Sequence, residues 1–279
     1  DGNINDYLPF KVENPNFPNE RITPRQLMTH QSSITDAYFE EVLEPNLATI
    51  YGIETDAALS LKDFCAAFLL KNGTFYNSKT YNKKKPGAEE IYSNIGVALL
   101  GLMVEHVSGK PFYQYAKERI FQPLGMNNTS FRLADFQTNK LSQMYQVNGT
   151  PWGNYTMSLY PAGGLRSNVQ DMSKFLRAIM NNGSLNGTQI LSAATVKEML
   201  REQIGGTKRG LIWDVDAPLI DISVSGHGGE AAGMYTNMYF NKTTNVGALV
   251  FSNTDFKNEQ DLASIYIILA NLIHVGEQQ

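Results

Sequence analysis

The chain has 279 residues, of which 42% are apolar and 18% charged, and 23 basic residues stand against 27 acidic ones for a net charge of −4. This composition is typical of a globular protein with enough apolar material for a packed core, and it excludes a disordered or collagen-like chain. Because no basic excess exists to neutralise a phosphate backbone, nucleic acid is not expected as a partner.

The single cysteine, Cys65, excludes an internal disulfide, and no Cys/His cluster has the spacing of a zinc site. We therefore expect a buried structural thiol and no metal site. The longest apolar run, residues 265–273, contains Asn271 and is too short to span a bilayer. No membrane span and no metal or organic cofactor are expected.

The first part of the chain is predicted to be mainly helical. Residues 3–10 resemble a short extended entry, and Thr23 with Pro24 forms a strong helix start because threonine caps and proline fits the first helical turn. The clearest helix is 94–107, where a broad apolar face follows helical spacing and Gly109 stands where a C-terminal glycine belongs. Further helices are predicted at residues 59–71, 111–121, 171–180 and 193–201, with loops and short strands over 122–165.

The pattern changes after residue 210. Four strand-like segments indicate an antiparallel meander, at residues 210–215, 222–225, 234–240 and 247–252. Residues 241–245 read as a turn, and an apolar helix at 259–274 is expected to cover the sheet. The fold class is therefore α+β, an antiparallel sheet covered by helices beside an all-helical region. We expect one domain over residues 1–279, with about 1–150 mainly helical and about 151–279 returning to the sheet and the C-terminal helix.

The first group of residues that could carry chemistry is Tyr92-Ser93-Asn94, at the start of the clearest helix. A tyrosine can pass protons, although its ordinary pKa of about 10 requires a neighbouring cation for it to act as a base near neutrality. Asn94 offers both a donor and an acceptor to a substrate amide. The structural alternative is a loop aromatic followed by a helix cap, since Ser93 or Asn94 caps well.

The second group is Gly226-His227-Gly228-Gly229, directly after the strand-like residues 222–225. Glycines around one histidine allow a backbone to approach a ligand closely, and His227 would project from the end of a strand. The backbone N–H of Glu230 could face a developing oxyanion. The alternative is a glycine-rich turn with an exposed histidine. The other histidines are weaker candidates: His30 lies in a helix-to-loop segment, and His106 and His274 lie near helix ends, where a cation is favourable for structural reasons.

Five blocks, in order, make the sequence recognisable. They read Ile22-Thr23-Pro24-Arg25-Gln26-Leu27-Met28-Thr29-His30-Gln31-Ser32-Ser33-Ile34; Tyr92-Ser93-Asn94-Ile95-Gly96 with Leu99-Leu100-Gly101; Phe121-Gln122-Pro123-Leu124-Gly125-Met126 with Thr129; Pro161-Ala162-Gly163-Gly164-Leu165 with Ser167, Asp171 and Phe175; and Gly226-His227-Gly228-Gly229. Together they resemble the penicillin-recognising serine hydrolases: serine β-lactamases, D-alanyl-D-alanine peptidases and their esterase relatives.

The resemblance implies a β-lactamase/transpeptidase-like fold and acyl transfer through a serine ester, with serine and lysine in a Ser-x-x-Lys motif upstream of all five blocks. It implies that Tyr92 relays the proton and Asn94 holds the substrate amide. It also implies that His227, Gly228 and Gly229 form a strand wall, with Glu230 beside them. Tyr92, Asn94 and His227 are then expected to line one cleft.

Three departures from the family pattern bear on function. No serine in this chain is followed three residues later by lysine, so no nucleophile is identified in it and the N-terminal part of the domain is expected to be missing. Thr80-x-x-Lys83 and Thr254-x-x-Lys257 fit the spacing with threonine, but both lie in polar loops. Ser33 stands where the family commonly has glycine. His227 replaces the lysine typical of β-lactamases, and partial charge at pH 7 makes it a weaker holder of a carboxylate.

The hypothesis is therefore a serine hydrolase acting on a D-amino-acid peptide or amide, a β-lactam or a small ester. Its nucleophile would come from an upstream segment or a separate upstream chain carrying Ser-x-x-Lys. The alternative is a catalytically inactive relative that binds or serves as a structural secreted protein. Eight Asn-x-Ser/Thr sequons favour a secreted, extracellular glycoprotein, although an Asn-rich chain also produces sequons by chance. In a bacterium the location would be the periplasm or the cell surface.

Overall fold

The computed structural model describes residues 1–43, 46–137, 140–256 and 258–279. The described α-helices are α1 (Pro24–Met28), α2 (Phe39–Leu43), α3 (Leu47–Ile50), α4 (Leu61–Leu69), α5 (Asn94–Ser108), α6 (Phe112–Ala116), α7 (Val169–Met180), α8 (Ala193–Met199) and α9 (Glu259–Glu277). The described strands are β1 (Tyr51–Ile53), β2 (Met144–Tyr145), β3 (Pro151–Trp152), β4 (Tyr155–Met157), β5 (Ser184–Leu185), β6 (Thr188–Gln189), β7 (Asp214–Leu219), β8 (Ile222–Ala231), β9 (Met234–Asn241) and β10 (Val246–Ser252).

The chain divides into two compact units and passes between them several times. The helical unit consists of Asp1–Glu118, Ser130–Gln137 and Tyr155–Arg166. The sheet unit consists of Arg119–Thr129, Thr138–Asn154 and Ser167–Gln279. The expectation of a single domain over the whole chain stays a prediction.

Helix α5 forms the centre of the helical unit, where it packs against α1, α4 and α6. The predicted helix is confirmed and ends one residue later than expected, and its C-terminal glycine is confirmed, since Gly109 follows it with a φ of 68°. The helix also lies close to the 3₁₀ turn Tyr160–Ala162, whose tyrosine hydroxyl donates to Glu105 Oε1 at 2.7 Å. Cys65 on α4 is completely buried, as expected of a structural thiol, and burial raises its pKa.

The N-terminal entry departs from its prediction. Residues 3–10 were expected to be extended, whereas Ile4–Tyr7 forms a 3₁₀ turn. The Asn3 side chain accepts from the Asn5 N–H at 3.0 Å and so caps this turn. The Ile4 side chain is fully buried, which holds the turn against the core.

The four strands β7 to β10 of the sheet unit form an antiparallel meander with the spatial order β10-β9-β8-β7, as predicted. Helix α9 covers one face with Leu269, Ala270 and Ile273. Helices α7 and α8 pack on the other face, around Trp213 and Phe240. The sheet therefore has apolar layers on both sides, and the predicted covering helix is confirmed.

Two strand predictions are corrected. Residues 210–215 were expected to form a strand, but the pairing with β8 begins only at Asp214, because the Gly210 N–H donates to the Trp213 carbonyl at 2.8 Å and closes a turn. Strand β8 was expected to end at residue 225, but it continues through the glycines to Ala231. Gly226, His227, Gly228 and Gly229 are paired strand residues, so the alternative of a glycine-rich turn is wrong.

Within the described ranges, no helix has both the length and the apolar character needed to cross a bilayer.

Candidate functional site

The turn Tyr92-Ser93-Asn94 leads into α5. Each backbone N–H group at the start of this helix donates a hydrogen bond to a side chain. The Ser93 N–H donates to His30 Nδ1 at 3.3 Å. The Asn94 and Ile95 N–H groups donate to the Asp36 carboxylate at 2.6 and 3.1 Å. The Gly96 N–H donates to Ser93 Oγ at 3.0 Å, so the predicted serine cap is confirmed. These are the donors that a helix N-terminus ordinarily leaves without a helical partner, and here all are satisfied.

His30 lies under the tyrosine of this turn. The ring centroids of His30 and Tyr92 are 4.4 Å apart, with a tilt of 37°. His30 is 2% exposed and has a φ of 56°, a strained conformation for a residue other than glycine. Its Nδ1 accepts the Ser93 backbone N–H, which fixes the orientation of the ring. The residue therefore supports the position of Tyr92 from below.

The side chains of Tyr92 and Asn94 remain accessible. The Tyr92 side chain is 49% exposed, whereas Ser93 between the two is buried. The Tyr92 hydroxyl is 3.4 Å from Asn94 Oδ1, so the two polar groups point to the same region. The turn thus presents a phenol and an amide side by side from a fixed backbone. These groups can exchange a proton with, and hydrogen-bond to, a bound amide or ester.

The position of Ser33, where the family commonly has glycine, now has a physical explanation. Ser33 has a φ of 65°, a conformation that glycine adopts without cost and other residues rarely adopt. Its hydroxyl accepts from the buried Asn14 Nδ2 at 2.9 Å, and its carbonyl accepts from the Asn82 N–H at 2.8 Å. The hydrogen bond to Asn14 offsets part of the backbone strain.

In the sheet unit, the segment His227–Ala231 of β8 forms an open strand edge. Strand β7 pairs with β8 from Ile222 up to Gly226, and beyond that point β9 is the one strand that pairs with it among the described residues. The backbone along the other edge of this segment can therefore hydrogen-bond to an extended ligand. Gly229 and Glu230 are exposed, and His227 and Gly228 are partly exposed.

The ring of His227 has a defined orientation. Its Nδ1 contacts the carbonyl oxygen of Gly228, which can only accept, so Nδ1 carries the proton in the neutral form and Nε2 is left as the acceptor. His227 pairs with Met238, which places both on the face of the sheet that carries Phe240 and α7. The ring can thus accept a hydrogen bond through Nε2.

Two of the recognised blocks form a scaffold within the sheet unit. The Asp171 carboxylate is 2% exposed and accepts from the Asn128 N–H at 2.7 Å and the Thr129 hydroxyl at 3.0 Å. Lys174 neutralises it at 3.0 Å, and Thr129 also bonds to Ser167 at 2.7 Å. These residues connect a loop to the start of α7, so their place in the motif reflects folding rather than chemistry.

The remaining candidates are placed as follows. Thr80 is completely buried and Lys83 is exposed in the next loop, while Lys257 lies outside the described residues. His274 bonds to Asp221 at 3.1 Å, which raises the pKa of the histidine, and its role at the end of α9 is structural. Across the described parts of the chain, no three His, Cys, Asp or Glu side chains gather as metal ligands.

Sequence reasoning missed Asp36 altogether and gave little weight to His30. Both contact the Tyr92–Asn94 turn from about 60 residues away, and no local pattern marks such a contact. A cavity of about 580 Å³ opens elsewhere in the helical unit, at the C-terminal part of α5, and none of the predicted site residues lines it. The expectation that Tyr92, Asn94 and His227 line one cleft stays a prediction.

Comparison with known proteins places these features in a family. A family model described as Beta-lactamase matches residues 1–272. The chain is similar to the D-alanyl-D-alanine-carboxypeptidase/endopeptidase AmpH of Escherichia coli (strain K12), with 29% identity over 204 residues that cover 67% of this chain and 52% of that protein. The chain spans about a third to a half of the length of the curated relatives it matches.

Two solved structures share the fold. A penicillin-binding protein homologue from Pyrococcus abyssi, described as octameric, has a TM-score of 0.73 at 22% identity and covers 99% of this chain and 60% of its own. D-amino acid amidase from Ochrobactrum anthropi SV3 has a TM-score of 0.66 at 22% identity and covers 95% of this chain and 80% of its own. These likenesses confirm the predicted β-lactamase/transpeptidase-like α+β fold.

Proposed function

Because the chain belongs to the Beta-lactamase family, we propose that it forms part of a serine hydrolase that cleaves an amide or ester bond through an acyl-enzyme. One observation carries the proposal. The backbone N–H groups of residues 93–96, at the turn that presents Tyr92 and Asn94, are all hydrogen-bonded, while both side chains stay accessible. A merely structural helix start would have no need to display a half-exposed tyrosine beside a partly exposed amide.

The nucleophile is proposed to come from an upstream Ser-x-x-Lys segment, on the same polypeptide or on a separate chain. Acyl transfer needs an activated nucleophile, and the 279 residues contain no serine with lysine three positions later. The upstream lysine would also supply the cation that a tyrosine needs to act as a base near neutral pH. The experiment below locates the nucleophilic serine.

The residues of this chain would have separate roles. Tyr92 would relay a proton between nucleophile and leaving group, and Asn94 would hold the substrate amide. The open edge of β8 would pair with the acyl part of the substrate, with His227 beside it and the Glu230 N–H at the developing oxyanion. No metal or organic cofactor takes part in this scheme.

The substrate class is proposed to be a D-amino-acid peptide or amide, with a small ester or a β-lactam as further candidates. A histidine is only partly charged at pH 7 and is therefore a weaker partner for a carboxylate than lysine is, which disfavours a dedicated β-lactamase. The names of two proteins similar to this chain, a D-alanyl-D-alanine carboxypeptidase/endopeptidase and a D-amino acid amidase, support the same class. We also propose that the protein is secreted or extracellular, or periplasmic or cell-surface in a bacterium.

The test is to purify the protein with its upstream segment and assay a D-alanyl-D-alanine peptide, a D-amino-acid amide, a short-chain ester and a chromogenic β-lactam. We expect turnover of at least one D-configured amide or ester, and a covalent β-lactam adduct on an upstream serine by peptide mass spectrometry. Residues 1–279 alone are the control and should be inactive. An adduct inside residues 1–279 would overturn the placement of the nucleophile, and binding of these compounds without turnover or adduct would favour the inactive binding protein.

A further inference from the structure

Asp36 holds the backbone of the candidate catalytic turn from outside it. Its two carboxylate oxygens accept three hydrogen bonds, from Ser93 Oγ at 2.8 Å and from the Asn94 and Ile95 N–H groups at 2.6 and 3.1 Å. We propose that Asp36 is a positioning residue for the hydrolase, and this inference rests on the proposed function. It sets the direction of Tyr92 and Asn94 through the backbone between them and touches no substrate.

The backbone on either side of the Asp36 carboxylate is held by further hydrogen bonds. The preceding residue, Thr35, donates its N–H to the Thr80 carbonyl at 2.9 Å and its hydroxyl to the Lys79 carbonyl at 2.7 Å. The Asp36 carbonyl accepts the Phe39 N–H at 2.9 Å, which starts α2. The backbone of Asp36 is therefore held between the bonds of Thr35 and the start of α2, independently of the contacts that its side chain makes to α5.

The three bonds reach three consecutive residues, Ser93, Asn94 and Ile95, at the start of α5. Ser93 lies between Tyr92 and Asn94. Its hydroxyl donates to Asp36 and also accepts the Gly96 N–H at 3.0 Å, so it links the carboxylate to the first turn of α5. A negative charge here also interacts favourably with the N-terminal end of a 15-residue helix. Replacing the carboxylate by a carboxamide removes the charge and directs an N–H₂ group at donors, so at least one backbone N–H loses its acceptor.

The consequence for catalysis follows from geometry. Tyr92 rests on the ring of His30, whereas Asn94 is positioned by its own N–H bond to Asp36. Loss of the carboxylate would shift Asn94 relative to Tyr92, because only one of the two keeps its support. Displacements of about 1 Å at a reacting group can cost about 100-fold in rate. We expect Asp36→Asn to lower kcat/KM by about 10- to 100-fold.

A matched control exists in the same unit. Asp63 lies in the first turn of α4, where its carboxylate accepts from Ser60 Oγ at 2.6 Å and its N–H donates to the same hydroxyl at 3.1 Å. It is another aspartate at a helix start with a capping serine, and its described hydrogen bonds go to Ser60 and not to the Tyr92–Asn94 turn. Asp63→Asn should therefore cost some stability and leave kcat/KM unchanged.

The experiment compares wild type, Asp36→Asn, Asp36→Glu and Asp63→Asn in the protein that includes its upstream segment. Active sites are titrated with a covalent β-lactam, and kcat and KM are measured per titrated site, so that a smaller folded fraction does not imitate a slower enzyme. Hydrogen exchange at the Asn94 and Ile95 amides is measured in parallel. We expect Asp36→Asn to lower kcat/KM and to speed exchange, Asp36→Glu to recover part of both, and Asp63→Asn to change neither.

An unchanged kcat/KM per titrated site in Asp36→Asn would overturn the positioning role. If that variant does not fold, Asp36→Glu decides, because it keeps the charge while displacing the carboxylate, and wild-type kinetics in it would overturn the proposal. If the wild type turns over no substrate, the proposed function fails. Hydrogen exchange still tests the contact in that case, and unchanged exchange in Asp36→Asn would show that the carboxylate does not hold the turn.

Discussion

Gly101 on α5 offers a direct test of how two recognised blocks fit together. A Cβ atom at this position would lie 2.4 Å from Pro161 Cγ and 2.7 Å from Pro161 Cβ, well inside van der Waals contact. Gly96, on the same helix, is the matched control, since its Cβ would meet nothing closer than 3.5 Å. We therefore compare Gly101→Ala with Gly96→Ala.

Two opposing free-energy terms decide whether each substitution stabilises or destabilises the protein. Alanine in place of glycine within a helix gains about 1 kcal/mol at either position. At Gly101 the added methyl group also overpacks the core, which typically costs about 1–3 kcal/mol and falls at the upper end here because a proline ring cannot rotate away. Gly101→Ala should thus be destabilised by up to about 2 kcal/mol, and Gly96→Ala should be as stable as the wild type or up to about 1 kcal/mol more stable.

The measurement is thermal unfolding followed by circular dichroism at 222 nm, on protein that includes the upstream segment. A gap of about 1–3 kcal/mol between the two variants corresponds to several degrees in Tm, at about 2–4 °C per kcal/mol for domains of this order of size. Equal Tm values would refute the reasoning, because they would mean that the Tyr160–Ala162 turn moves away from α5 at no cost.

Three further predictions concern the backbone, the chemistry and the surface. Ser33→Gly should be close to neutral in urea unfolding, because relief of the left-handed strain offsets the lost bond to Asn14, whereas Ser33→Ala should lose about 1–2 kcal/mol, and equal stabilities would contradict this. Tyr92→Phe should lower kcat by about 10²–10⁴-fold, and an unchanged kcat would remove the hydroxyl from the mechanism. Peptide mass spectrometry of protein from its natural source should find glycans on sequons in exposed turns and none on Asn241, whose amide donates to Glu277 at 3.0 Å; bare asparagines throughout would count against a secreted eukaryotic protein. The exposed sequon asparagines are Asn72, Asn127, Asn128, Asn148, Asn182 and Asn186.

The sequence predicted those parts of the fold whose signals are local. Thr23 and Pro24 start a helix with a capping box, and Ser93 caps α5, because side chain and backbone in these motifs are neighbours in the chain. The strand at residues 210–215 was misplaced for a related reason. Trp213 and Val215 alternate with polar residues and are buried, as the pattern predicts. Burial alone does not show which residues pair with a neighbouring strand. Because Gly210 closes a turn, pairing with β8 begins only at Asp214.

The candidate site was predictable in part. Tyr92, Asn94 and His227 were found through motif blocks, but the residues that hold the first two were not, because Asp36 meets its partners across 57 to 59 residues of sequence. A lone aspartate after Ser-Ile-Thr has no chemical signature of its own. Its meaning comes from three converging donors, and these exist only in the folded helical unit.

The glycines of β8 explain why the predicted strand was too short, and they differ in how well folding accounts for them. Gly226 is required by folding itself, since a Cβ atom there would lie 2.1 Å from the Met238 carbonyl oxygen and 2.5 Å from the Tyr239 ring. Gly229 is a weaker case, because its Cβ would meet only the rotatable Thr236 hydroxyl at 2.8 Å. Folding therefore accounts for the first glycine better than for the last, even though glycine weakens a strand at either position. The exposed end of β8 near Gly229 is where a close approach by a substrate backbone would best account for the absent side chain.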